Sequence, residues 1–280
     1  MRFTPQLAAL LAVRGAALNQ TLRGRDIAAQ IRALLFGSGE VGAMYDPSDL
    51  STLYQDSAGT TPVTAVGQVV GLMLDKSGNG FNATQATLAN KPVLQQDGNG
   101  MYYLAFDGID DFLVTPSIDF SATDKMGVFS GVRCASNSGM LVELSSNSDV
   151  SGGFYIFSGS IGKTKFQLTD AGAVAAAHER SLAAAYPLTE VWAAAYNYAG
   201  AARAEEVSAR INGSSSLLAE ATGTAVSGSF TNSPIYIGRR GGTSLPFNGN
   251  LYQLIVRGAL PDAAQITAAE SYVNSKTRAY

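Results

Sequence analysis

Leu104-Ala-Phe-Asp-Gly-Ile-Asp-Asp-Phe-Leu113 alternates apolar with small or polar positions as far as Phe106, and Asp107-Gly108 then breaks the pattern. Asp110-Asp111 follows before a second apolar run, Phe112-Leu-Val114. An Asp-Gly pair supplies the positive backbone angles of a tight reversal, so the stretch predicts strand, turn, strand. Further strand candidates recur at short intervals: Val128–Cys134, Met140–Leu144, Phe154–Phe157, Lys165–Leu168, Val191–Tyr198 and Val207–Ile211. As a strand, Val191–Tyr198 puts Trp192, Tyr196 and Tyr198 on one face and Ala193 and Ala195 on the other. Trp192 is read as sandwich core. Tyr198 is left open between core and a sugar-stacking surface.

Composition agrees with a β-rich chain of many tight turns. Only 15% of the 280 residues are charged, and 30 are glycine. A net charge of −3 with no long basic block argues against a nucleic-acid surface. One cysteine, Cys134, excludes an intrachain disulfide and reads as a buried thiol. No apolar segment approaches the roughly 20 residues that span a bilayer.

Residues 1–40 have a different texture. Leu7, Leu11, Leu18 and Leu22 are spaced as one helical face. Arg14 cuts the apolar run Leu7–Val13 short, so an amphipathic helix is preferred to a secretion signal. Asp26 can cap a second helix, Ile27–Phe36, whose Ile27, Ile31, Leu34 and Leu35 share a face and whose stop is Gly37. The two stripes predict an N-terminal helical arm, residues 1–40, that docks on a partner or on neighbouring copies, ahead of a β domain at 41–280.

Four blocks in order carry a family resemblance. They are Leu72–Gln85, containing Asp75-Lys-Ser-Gly-Asn-Gly80; the Phe106-Asp-Gly stretch; Ala209-Arg-Ile-Asn-Gly213; and Ile235–Arg239 with Phe247–Val256, closed by a helix over Pro261–Val273 with Pro at its first position. In this arrangement residues 41–275 resemble laminin-G-like, concanavalin A-like domains. The resemblance implies a mainly β, antiparallel jelly-roll sandwich with an N-terminal helical arm and a C-terminal helix. Such folds host lectins, glycosidases and structural modules alike, so function has to be read from sites.

Asp75, Ser77 and Asn79 imitate the start of a calcium loop, but its closing acid is replaced by Ala86. Asp75, Asp107, Asp110 and Asp111 are therefore read as turn braces, with calcium as the alternative. No cofactor is expected. A glycosidase of this fold needs two carboxylates on one strand face, and Glu205-Glu206 and the isolated Glu143 do not provide them. His178, the single histidine, reads as part of an exposed loop or helical turn, with no Gly-x-Ser-x-Gly elbow to make a triad. Arg239-Arg240 forms a compact basic turn that is either solvated or a partner contact. With Tyr198 it makes up the candidate glycan-binding set.

The run Gly42–Asp56, continuing through Gly59-Thr-Thr-Pro-Val63 to Leu74-Asp-Lys-Ser77, resembles the opening of tailed-bacteriophage structural proteins that carry this jelly roll. Two functions follow from the resemblance. One is a non-enzymatic virion protein decorating capsid or tail, assembled in the host bacterial cytoplasm, with other copies and other virion proteins as partners. The other is a glycan-binding adhesin or receptor-binding protein with a host surface glycan as partner.

Overall fold

The computed structural model describes residues 27–136, 139–144, 151–158, 164–169, 177–179, 186–216 and 227–280. Among them two antiparallel sheets enclose one core. The seven-stranded sheet runs Val207–Ile211, Leu188–Asn197, Lys125–Cys134, Asn248–Arg257, Tyr102–Asp107, Val93–Gln96, with Gly42–Tyr45 also paired to Asn248–Arg257. The nine-stranded sheet runs Ala177–Glu179, Thr164–Thr169, Gly153–Ser158, Met140–Leu144, Ile235–Ile237, Leu113–Val114, Ala83–Thr84, Leu72–Met73, Leu53–Tyr54. The expected strands are all present. His178 falls on the strand Ala177–Glu179, not in the loop or helical turn expected for it. Glu205 and Glu206 lie in a short helix, Arg203–Glu206. No helix among the described residues is long and apolar enough to cross a membrane.

The Phe106-Asp-Gly stretch is a reversal of a different kind from the one its pattern predicts. Tyr102–Asp107 belongs to the seven-stranded sheet and Leu113–Val114 to the nine-stranded one, so residues 108–112 arch between sheets. Leu104 and Phe106 enter the core from one side and Leu113 from the other. Phe112, one position earlier, is half-buried outside the sandwich, against Tyr236. Gly108, at φ 76°, lies against Asn248, where a Cβ would collide.

Asn248–Arg257 is the central strand of its sheet. One edge pairs with Lys125–Cys134 along its length. The other edge is shared: residues 248–251 pair with Tyr102–Asp107, and residues 254–257 pair with Gly42–Tyr45. A register shift between Leu251 and Gln253 leaves Tyr252 as a bulge where the partner changes.

The outer face of this sheet carries a second apolar layer. Met44, Phe129, Val191, Ala193 and Ile255 project outward. They are covered by α1 (Ile27–Phe36) and by the C-terminal helix, here α3 after the short α2 (Arg203–Glu206); α3 spans Ala263–Thr277. Asp262 caps α3 through a reciprocal pair with Gln265, so Pro261 precedes the cap and is not the first helical residue. Asn212 and Gly213, at φ 52° and 75°, make an Asn-Gly reversal after Val207–Ile211.

This layer corrects the expected arm. Ile31 and Leu35 are buried against the sheet within the domain and are closed to a partner, while Ile27 and Leu34 remain 47% and 40% exposed. Arg257 fixes α1 in place: its Nε donates to the Leu35 carbonyl at 2.6 Å and its Nη2 to Glu40 Oε1 at 2.7 Å. Nη1 donates to the Leu260 carbonyl and to Gln265 Oε1, which joins the cap of α3 to the same guanidinium. Residues 27–40 therefore belong to the β domain. Leu7, Leu11, Leu18 and Leu22 lie outside the described residues.

Leu35→Ala should cost about 2–5 kcal/mol in chemical denaturation, the range for a fully buried leucine. Deleting residues 1–38 would remove Ile31, Leu35 and Phe36 from the outer apolar layer and should lower the melting temperature sharply. A truncated protein as stable as the full chain would refute the packed role of α1.

Candidate functional site

Three of the four acids expected as turn braces, Asp75, Asp107 and Asp111, accept bracing hydrogen bonds. Asp75 accepts hydrogen bonds from the backbone N–H groups of Met44, Ser77 and Phe81 and from the Ser77 hydroxyl. In the arch, Asp107 Oδ1 accepts from the N–H groups of Ile109 and Asp110, and Asp111 Oδ2 accepts from the Asp107 N–H at 3.0 Å. Carboxylate oxygens of Asp107, Asp110 and Asp111 come within 4.8 Å of one another. Burial, with the nearby charges of Asp107 and Asp110, pushes Asp111 up to about 6.

The expected glycan set does not assemble. Tyr198 is buried, with its hydroxyl 2.6 Å from the Thr169 carbonyl and 2.9 Å from that of Gly153. It ties one sheet to the backbone of the other and presents no ring to solvent. Arg240 ion-pairs with the fully buried Glu143 at 3.1 Å and lies over the Tyr155 ring at 5.0 Å. Burial pushes Glu143 up to about 7 despite the opposing Arg240. Arg239 donates to the Thr243 carbonyl at 3.0 Å and to that of Asp110 at 3.4 Å. Both arginines hold their own loop against the nine-stranded sheet.

A different polar surface lies on the outer face of the seven-stranded sheet, where the helical layer stops. Thr189 pairs with Arg133, Arg133 with Asn250, and Asn250 with Ala105, so one row crosses four strands. Val132 and Cys134 point into the core, which turns Arg133 outward. A Cβ at Gly131 would collide with Thr277, which shows how closely α3 approaches the sheet one row before Arg133. Beyond that point the sheet is open. Tyr103 stands beside the row and packs on Tyr252 with ring centroids 5.2 Å apart.

These groups line a recess of about 320 Å³ together with Asp97, Asn99, Thr277 and Arg278. Asp97 Oδ1 accepts from the N–H groups of Asn99 and Met101, and its Oδ2 accepts from the Tyr252 hydroxyl at 3.2 Å. Burial, reinforced by the Asp97 charge, raises Tyr252 to about 12, so its hydroxyl remains a donor. Among the described residues, neither the Arg133 nor the Arg278 guanidinium forms a hydrogen bond or ion pair. The sequence offers one faint sign of this site, a lone arginine inside the strand run Val128–Cys134.

A larger cleft, about 590 Å³, opens where Gly42–Tyr45 and Tyr102–Asp107 separate from their shared partner strand. Its charges are matched internally. The buried Asp46 accepts from the Tyr272 hydroxyl at 3.0 Å and pairs with Lys276 at 3.1 Å and Lys76 at 3.5 Å. Asp49 takes the second contact of Lys76 at 2.6 Å. Burial alone would raise Asp46, but Lys276, Ser48 and Lys76 outweigh it and hold the carboxyl below its ordinary value.

No family model matches the chain, and no curated protein sequence matches it. Among solved structures it is similar to the binding domain of botulinum neurotoxin DC in complex with SialylT, at 12% identity and TM-score 0.51, over 87% of this chain and 52% of that one. A botulinum neurotoxin type C structure, described through its interaction with two ganglioside molecules, matches at 13% identity and TM-score 0.52, over 88% and 52%. The binding domain of Paraclostridial Mosquitocidal Protein 1 matches at 15% identity and TM-score 0.53, over 88% and 53%. The chain spans about half the length of each, and the likeness is one of fold, a β-sandwich.

Asp111 has a raised folded value, so its stabilising contribution is complete below the unfolded value and is lost as pH rises through about 6. Asp111→Asn keeps an acceptor for the Asp107 N–H without the charge. It should stabilise the domain at pH 7.5 by on the order of 1–2 kcal/mol and flatten the stability profile between about pH 4 and 6. A variant less stable than the parent at pH 7.5 would contradict the burial argument.

Proposed function

We propose that the chain is a non-enzymatic recognition module that binds a glycan through the recess around Arg133. The observation that carries this reading is the row Thr189, Arg133, Asn250, with Tyr103 beside it. Hydroxyl, amide and guanidinium groups at strand spacing offer donors and acceptors to a polyol, and an aromatic ring offers an apolar face to a sugar ring. Strands hold the backbones of all four in register, so no backbone reordering opposes binding. The larger cleft lends itself less to this role because its charged groups already satisfy one another. The similar structures described with SialylT and ganglioside add support at the level of fold.

Of the two functions read from the sequence, the recess favours the adhesin or receptor-binding protein over pure decoration. We assign the module to the surface of a tailed-phage particle on the resemblance of residues 42–77. Attachment and self-association are assigned to the Leu7, Leu11, Leu18, Leu22 stripe, since Ile31 and Leu35 are committed to the domain.

A glycan array probed with the full chain should give binding that Tyr103→Ala and Asn250→Ala each weaken by about tenfold or more, one conversion of 1.4 kcal/mol. Both variants should melt within a few degrees of the parent, because neither residue is in the core. An array without binding, or binding indifferent to both changes, would sink the assignment. Removing residues 1–22 should abolish incorporation into particles and leave glycan binding intact.

A further inference from the structure

Resting on the glycan-binding reading of the recess, we infer that it selects acidic saccharides, with a sugar carboxylate seated against Arg133 and Arg278. The recess holds two cations and one acid, Asp97. That acid is committed: its two oxygens take the Asn99 and Met101 N–H groups and the Tyr252 hydroxyl. The C-terminal end of α3 adds at most about half a negative charge. A net positive charge therefore remains, carried by guanidinium groups whose donors have no protein acceptor among the described residues.

The strand register shows why this charge is not offset. On the outer face Arg133 has Thr189 and Asn250 beside it, and Gly131 and Ala135 two positions away along its own strand. None is acidic. Glu190, the nearest acid on the adjoining strand, accepts from the Trp192 indole on the other face of the sheet. Three other arginines of the domain are ion-paired: Arg257 with Glu40, Arg210 with Glu270 and Arg240 with Glu143. A planar guanidinium fork left open on a rigid strand fits a carboxylate bidentately, while Thr189 and Asn250 are placed for the ring hydroxyls. A neutral glycan offers the fork only hydroxyl acceptors, without the charge-assisted pair.

The test is calorimetric titration of the full chain with four probes: tetragalacturonate, its methyl ester, 3′-sialyllactose and lactose. The expected result is that at least one acid binds about tenfold or more tightly than its neutral counterpart, as a charge-assisted pair requires. That advantage should shrink on moving from about 0.01 M to 0.15 M salt, since the site is partly solvated. Arg133→Gln should make acid and neutral probe equal, and Arg133→Lys should restore part of the difference. If Arg133→Gln melts early, Arg278→Gln carries the same expectation. Equal binding of acid and neutral probes by the parent, or a preference that survives both glutamine variants, overturns the acidic selectivity while the glycan-binding reading stands. Binding to none of the four, together with an empty glycan array, overturns both.

Discussion

The guanidinium of Arg257 sits at the last residue of the central strand and satisfies four acceptors at once: the Leu35 and Leu260 carbonyls, Gln265 and Glu40. A buried cation is costly unless paired and fully hydrogen-bonded, and here each partner comes from a different segment. Burial would raise Glu40, yet its bond to Arg257 keeps the carboxyl below its ordinary value, so the pair is ionised. The carbonyl of Leu35 lies at the end of α1, where intrahelical donors run out. One side chain thus closes α1, positions the cap of α3 and holds both on the sheet.

That arrangement determines where a ligand can reach the seven-stranded sheet. The apolar layer of Met44, Phe129, Val191, Ala193 and Ile255 on its outer face stops short of the row of Thr189, Arg133 and Asn250. The approach of α3 at Gly131 draws the boundary between them. The bulge at Tyr252 turns that residue toward Tyr103 and Asp97, which links the floor of the recess to the hairpin tip above it. Packing and recognition surfaces therefore share one face of one sheet, separated by about one residue.

Much of the sandwich was legible in the sequence because period-two alternation survives in its strands. Trp192 and Phe106 are core, Met140–Leu144 and Val207–Ile211 have their expected bounds, and Asp75 braces its turn. The arch was not legible. Alternation tells which face a residue takes but not which sheet the next strand joins, so Asp107-Gly108 looked like a hairpin. The apolar stripe of α1 was visible, yet a stripe does not say what covers it, and Ile31 and Leu35 found their cover inside the domain. The recess was hidden for a third reason. Its residues lie on four strands, and only the register places Thr189, Arg133 and Asn250 side by side, whereas Tyr198 and Arg240 stood out by residue type alone.

The pairing of Gly42–Tyr45 with residues 254–257, and of α1 with α3, bears on how the chain reaches its fold. The strand Gly42–Tyr45 has no strand partner until the ribosome has made residues 254–257. Contacts this distant in sequence slow folding, because loop closure precedes any reward. During synthesis the Met44 and Leu35 side chains emerge early and lack their apolar cover from Ile255, Tyr272 and Val273 for most of translation. At about 5–20 residues per second, roughly ten to forty seconds pass before residues 248–277 are made. Over that interval the central sheet lacks its middle strand, and an early stop in translation leaves an edge open to aggregation.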